Sequence, residues 1–121
     1  MFSRVAMQYA TLIEADFSLT DSEYPTFEKS GGELTLKFED NIGERVEVYF
    51  GETIAFNWQE CIHLLENEKV NSCYVIENSG WLRDHINQNI IYDGEGYNHY
   101  KFNFGDLGQL EVLSIGFQKK T

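Results

Sequence analysis

Apolar side chains recur at every second position along much of this chain, a period that sets one face of a β-strand against a core. Leu34, Leu36 and Phe38 alternate with Thr35 and Lys37, and Val46, Val48 and Phe50 alternate with Arg45, Glu47 and Tyr49. Between the two runs, Asp40-Asn41-Ile42-Gly43 supplies residues that tolerate the positive φ angles of a tight connection, which predicts a hairpin. Ile54, Phe56 and Trp58 carry the period into a next strand, and Cys73 to Glu77 forms a short, well-buried one. Tyr100, Phe102 and Phe104 alternate with His99, Lys101 and Asn103, which points the aromatics into the core. Gly105-Asp106-Leu107-Gly108 then turns the chain into the other arm of a second hairpin, Leu110 to Phe117, with Gly116 marking a bulge.

Other segments carry weaker or different periods. From Thr11 to Leu19 the odd positions Thr11, Ile13, Ala15, Phe17 and Leu19 oppose Glu14, Asp16 and Ser18, as in a strand; Tyr9, Leu12, Ile13 and Phe17 also share a helix face. Asp21 to Gly32, with Pro25 and Gly31-Gly32, reads as a loop. Gln59 to Ser72 has no clear period, although Cys61, Ile62, Leu64 and Leu65 allow a helical turn. Asn78 or Ser79 offers an N-cap ahead of Trp81, Leu82, His85 and Ile86, whose spacing draws one apolar helix face. Ile90 to Asn98 reads as a mobile, acidic loop. These elements predict a single α+β domain over residues 1–121: a twisted, largely antiparallel sheet of about 6–7 strands built from hairpins, with one main helix at about 79–88 packed against it.

Charge narrows the possible partners. The chain has 121 residues, with 20 Asp and Glu against 9 Lys and Arg, a formal net charge of −11. So acidic a domain repels phosphate backbones and anionic membranes, so neither nucleic acid nor membrane is an expected partner. Met1 to Thr20 has one Arg and no apolar run of signal-peptide length, and no segment approaches the ~18 uninterrupted apolar residues of a membrane span. Two cysteines, Cys61 and Cys73, are too few for a disulfide scaffold and are expected as reduced thiols in a cytoplasmic protein.

Catalytic and metal signatures are sparse. Cys61, His63, Cys73, His85 and His99 are residue types that zinc accepts, but no Cys-x-x-Cys or His-Glu-x-x-His unit brings them together, and packing or surface roles are expected for them. A calcium loop opening at Asp93 would place Phe104 where a bidentate carboxylate is needed. Gly31-Gly32 and Gly94-x-Gly96 lack the frame of a phosphate-binding loop. Glu77 and Glu111 are acids in apolar neighbourhoods and are expected to face outward from strands. A nucleophile would need Ser79 or Cys73 beside His85 or His99, and nothing in the spacing selects such a pair. No catalytic residue, cofactor or metal is therefore expected.

What remains is the acidic surface. Acids crowd the loops, and tyrosines near them are amphipathic anchors suited to a protein interface. Asp40, Glu44, Glu47, Tyr49, Tyr92, Asp93, Glu95 and Tyr97 are the candidate partner-binding residues, facing a strongly basic protein. An alternative is a small-molecule or enzymatic domain with a pocket near His99 and Glu111.

Several stretches bear a resemblance. Glu23-Tyr24-Pro25-Thr26-Phe27 leads into Gly32-Glu33-Leu34-Thr35-Leu36, and Ala55-Phe56-Asn57-Trp58-Gln59-Glu60 follows. Further on are Glu77-Asn78-Ser79-Gly80-Trp81-Leu82, His99-Tyr100-Lys101-Phe102 and Leu110-Glu111-Val112-Leu113. With its size, acidity and lack of motifs, the chain resembles the immunity proteins of bacterial contact-dependent growth inhibition and polymorphic toxin systems. The resemblance implies an inhibitor, not an enzyme, that binds one cognate toxin domain as a monomer in a 1:1 complex, the toxin being a basic protein and often a nuclease.

Overall fold

The computed structural model describes residues 7–120; residues 1–6, part of the N-terminal stretch read above for an export signal, and Thr121 lie outside the described residues. One antiparallel sheet contains β1 (Tyr9–Ile13), β5 (Ala55–Gln59), β6 (Cys73–Glu77), β7 (Asn98–Phe104) and β8 (Gly108–Ser114), in the order β1-β6-β7-β8-β5. The second contains β2 (Thr26–Ser30), β3 (Glu33–Glu39), β4 (Arg45–Gly51) and β9 (Gly116–Lys119), in the order β2-β3-β4-β9. Among the described residues one helix, α1 (Gly80–Asn87), joins β6 to β7. The α+β class, the antiparallel pairing and the lone helix follow the sequence periods; the division into two sheets does not.

The core lies between the sheets. Leu34, Leu36 and Phe38 of β3 and Val46, Val48 and Phe50 of β4 meet Tyr100, Phe102 and Phe104 of β7 and Leu110 and Val112 of β8. Phe38 meets Phe104 edge-on at 5.3 Å between ring centres, and Phe50 lies 5.4 Å from Phe102. Each fully buried Phe here contributes about 1.5–3 kcal/mol by leaving water, which makes this strip the main source of stability.

The chain changes sheet where alternation alone predicted continuity. The Leu110–Phe117 arm breaks at Ile115, so Gly116 opens β9 in the second sheet and is not a bulge within the first. The passage from β4 to β5 runs beside this break and is tied to it: Ser114 Oγ donates to the Gly51 carbonyl at 2.6 Å, and the Ile115 amide donates to the same oxygen at 3.3 Å. From β4 to β5 the period of two keeps its phase, Val48, Phe50 and Trp58 all facing the core, whereas across Ile115 it shifts by one, from Leu110 and Val112 to Phe117.

The N-terminal run resolves in favour of the strand. Regular pairing stops at Ile13, opposite Cys73, yet Ile13, Ala15, Phe17 and Leu19 continue to turn inward. Phe17 reaches Phe102 at 5.8 Å and Phe38 at 6.1 Å, bridging the sheets. The segment expected as a loop from Asp21 to Gly32 instead contains β2. This edge strand turns only Phe27 partly inward and leaves Thr26, Glu28, Lys29 and Ser30 exposed, so no apolar period marks it. Gly31, at φ 58°, makes the two-residue turn into β3.

Helix α1 agrees with its predicted span to within a residue at either end. Ser79 is the N-cap, its Oγ accepting the Leu82 amide at 3.0 Å. The helix crosses the outer face of the five-stranded sheet and buries none of its residues fully; Trp81 stands edge-on to His99 at 5.1 Å. Among the described residues no helix is long and apolar enough to cross a membrane.

Candidate functional site

The eight candidate partner-binding residues divide between opposite ends of the molecule. The Phe38–Phe104 contact puts the β3–β4 turn at the Phe104 end of β7, whereas Tyr92, Asp93, Glu95 and Tyr97 lie in the loop that enters β7 at Asn98. Seven residues of strand separate those ends, about 20 Å at strand rise. Glu47 and Tyr49 face outward from β4 between them.

Several of these acids are already engaged. Glu47 lies within 3.7–3.9 Å of Lys120, Arg45 and Lys37, and Lys120 also stands over the Tyr49 ring at 5.4 Å, so this face carries balanced charge. Asp93 pairs with Arg83 at 3.8 Å, and Glu95 accepts the Tyr92 amide at 2.5 Å. Tyr97 has its hydroxyl pKa pushed up by burial and then by the charges of Glu52 and Glu95. Asp40 staples its own turn, one carboxylate oxygen accepting the Ile42 amide at 3.1 Å and the Glu44 amide at 2.8 Å.

Six of the acids that have no salt bridge among the described residues meet at the end of the β3–β4 turn; others, such as Glu33, Glu52, Glu60, Glu66, Glu77 and Asp84, are spread over the rest of the molecule. The connection from Asp21 to Tyr24 crosses that end: Asp21 and Asp106 line one shallow cavity beside Phe104, and the Glu23 amide donates to the Glu39 carbonyl at 3.0 Å. Asp21, Glu23, Glu39, Asp40, Glu44 and Asp106 therefore share one end, and none forms a salt bridge among the described residues, although Arg45 stands opposite Glu39 in the hairpin and, with Lys37, lines a small cavity beside Glu23 and Glu39. Two apolar groups stand out among them, Ile42 at 74% exposure on the turn and Tyr24 at 59%. The sequence singled out Asp40 and Glu44 here but not Asp21, Glu23, Glu39 or Asp106 as site residues, because chain segments distant in sequence meet only in the folded sandwich.

A second polar assembly covers the outer face of the five-stranded sheet. His99, Lys101 and Asn103 alternate with the core aromatics of β7 and are buried as well: residues 60–72 fold over Lys101 and Asn103, and Ser79 and Trp81 lie against His99. Lys101 Nζ donates to Glu68 Oε2 at 2.9 Å and to the His63 carbonyl. Glu68 also accepts the Leu65 amide at 2.6 Å and Asn103 Nδ2 at 3.0 Å. Gln109 accepts the His63 amide at 2.7 Å, and the Tyr74 hydroxyl accepts the Lys69 amide at 2.7 Å. These bonds answer the backbone groups of a segment that has no regular structure of its own.

Beside that assembly, His99 bridges helix and sheet. Its Nδ1 lies 2.7 Å from Ser79 Oγ and its Nε2 lies 2.9 Å from Glu111 Oε1. Burial alone would raise the Glu111 pKa, but the His99 hydrogen bond and charge, with Lys101 and Gln109, outweigh it and hold the carboxyl below its ordinary 4.5. The ionised form is thus favoured by folding: its contribution is complete above about 4.5 and is lost as pH falls through the lower folded-state value. In thermal melts from pH 7 to 3, wild type is expected to exceed Glu111→Gln at neutral pH, with the gap closing below about 4.5. A gap independent of pH contradicts this role.

The zinc-type residues do not converge. Cys73 points into the core, where burial pushes its thiol up to about 11, whereas Cys61 is exposed. His85 Nδ1 donates to the Trp81 carbonyl at 2.9 Å within the helix. Among the described residues no three His, Cys, Asp or Glu side chains come together as metal ligands. No protein-family model, curated protein sequence or solved structure matches the chain.

Proposed function

We propose that this protein is a bacterial immunity protein that works in the cytoplasm as a monomer, binding one cognate toxin domain 1:1 and neutralising it by association. The observation that supports this reading is the acidic end: Asp21, Glu23, Glu39, Asp40, Glu44 and Asp106 without salt bridges among the described residues, around exposed Tyr24 and Ile42. Like charges held together on a rigid sheet end cost self-repulsion that a cationic partner relieves beyond what salt and the neighbouring Arg45 and Lys37 provide, and such a field accelerates encounter with that partner. Apolar groups within a charged rim provide the desolvated contacts on which affinity depends. A basic nuclease fits this surface: carboxylates would occupy the groove that receives nucleic-acid phosphates, and no covalent step is needed.

Co-expression with a candidate toxin domain, sought at the end of a large secreted protein encoded by the neighbouring upstream gene, tests the reading. Growth is expected to be rescued and a 1:1 complex recovered, with affinity falling as salt rises. Failure to rescue growth or to recover a complex overturns it.

A further inference from the structure

The chain from Ser79 through His99 to Glu111 lies on the far side of the molecule from the acidic end and has no part in the docking described above. We propose that Ser79 is an activated nucleophile, with His99 as its general base and Glu111 orienting that base, able to accept the acyl group of a small ester. Three secondary-structure elements fix the geometry: His99 sits on β7, Glu111 diagonally across on the neighbouring strand β8, and Ser79 at the N-cap of α1. An ionised Glu111 only accepts hydrogen bonds, so Nε2 carries the proton across the 2.9 Å contact. Nδ1 of the neutral ring is then an acceptor and takes the Ser79 hydroxyl proton at 2.7 Å. The Leu82 amide, donating to Oγ at 3.0 Å, holds the hydroxyl in place. Serine proteases present Nε2 to the serine, whereas here the ring runs the other way; either nitrogen serves, since the constellation is defined by roles and distances.

The surroundings suit a ligand. Ser79 and His99 line a cleft of about 480 Å³ whose wall includes Ile76, Leu82 and Ile86, with Arg83 and Asn98 among its polar lining. Glu111 lies on the other side of the ring, in a smaller cavity of about 230 Å³ that His99 also lines. Ser79, 6% exposed, lines the roomier, partly apolar space, whose size matches a short acyl chain. In the reaction, Oγ forms a bond to the carbonyl carbon as its proton passes to Nδ1. The imidazolium is stabilised by the Glu111 carboxylate, and the carbonyl–oxygen bond to the leaving alcohol breaks as that alcohol takes the proton from Nδ1. Water then attacks the acyl-serine through the same base and frees the acid.

The test treats the folded wild-type protein with an alkyl fluorophosphonate and follows intact mass, then peptide mass. A single adduct on Ser79 is expected, absent in Ser79→Ala and formed about 100-fold more slowly in His99→Ala, the usual worth of a general base. Glu111→Gln is expected to slow labelling while leaving the fold intact by circular dichroism. An unlabelled wild type, an adduct on another residue, or a labelling rate indifferent to His99 overturns the proposal and leaves Ser79 as a helix cap only. None of these outcomes bears on the toxin complex, which is scored by growth rescue.

Discussion

Glu68→Ala is expected to destabilise the protein by about 3–5 kcal/mol, the cost of leaving a buried charge unpaired. The Lys101 side chain is 4% exposed and the Glu68 side chain 0%, so water cannot replace the lost partner. The Leu65 amide and Asn103 Nδ2 lose their acceptor in the same change. Residues 60–72 depend on these bonds for their path over the sheet, and their amides are expected to exchange faster than the core strands in the variant. Glu68→Gln retains hydrogen-bond capacity without the charge and should lie between wild type and alanine. The double variant Glu68→Leu with Lys101→Met removes the unpaired charge and is expected to recover part of the loss, the Leu65 amide and the His63 carbonyl remaining without their side-chain partners. Urea melts of the four proteins measure this. A Glu68→Ala midpoint equal to wild type, or a double variant no better than the single, contradicts the account of the outer face.

The second large effect concerns binding. Under the proposed function, reversing Glu39, Glu44 and Asp106 to lysine is expected to slow association with a basic toxin domain by about 10–100-fold at low salt, with a smaller change in dissociation. Asp40 is left out of this set because its carboxylate holds the turn, and its loss would mix folding with binding. Reversal of Asp93 and Glu95 is the control at the opposite end. Asp93 already shares its charge with Arg83. Stopped-flow mixing at two ionic strengths separates the cases, because a steering effect shrinks as the Debye length contracts to about 10 Å at 0.1 M salt. Equal losses at both ends would remove the acidic end as the docking surface.

How far the sequence anticipated the molecule depended on whether a segment had one wet face. β3, β4 and the core side of β7 were legible because apolar and polar residues alternate there without exception. The Ser79 cap and α1 were legible for a similar local reason, a capping hydroxyl ahead of a 3.6-residue period. β2 was hidden by being an edge strand with Phe27 as its one inward apolar group. The break at Ile115 shows in the sequence only as Gly116 and a one-residue shift of the inward set from Leu110 and Val112 to Phe117, which reads equally as a bulge within one sheet because both sides face the same core. Lys101 and Asn103 stand out in the sequence only as polar neighbours of the β7 aromatics; their burial depends on residues 60–72, whose hold on the sheet is largely polar and therefore has no hydrophobic period. The candidate site divided along the same line. Asp40 and Glu44 were visible as turn acids, but the company they keep with Asp21, Glu23 and Asp106 is a product of topology, as is the meeting of Ser79, His99 and Glu111.

The most direct measurement is amide hydrogen exchange on the complex with the toxin domain, read against the free protein. Docking through the acidic end predicts new protection concentrated at residues 20–24, 38–45 and 105–107, with the loop at 92–97 and helix α1 unchanged. Protection confined to the 92–97 loop or to the helix face, with the β3–β4 turn exchanging as in the free protein, would contradict it.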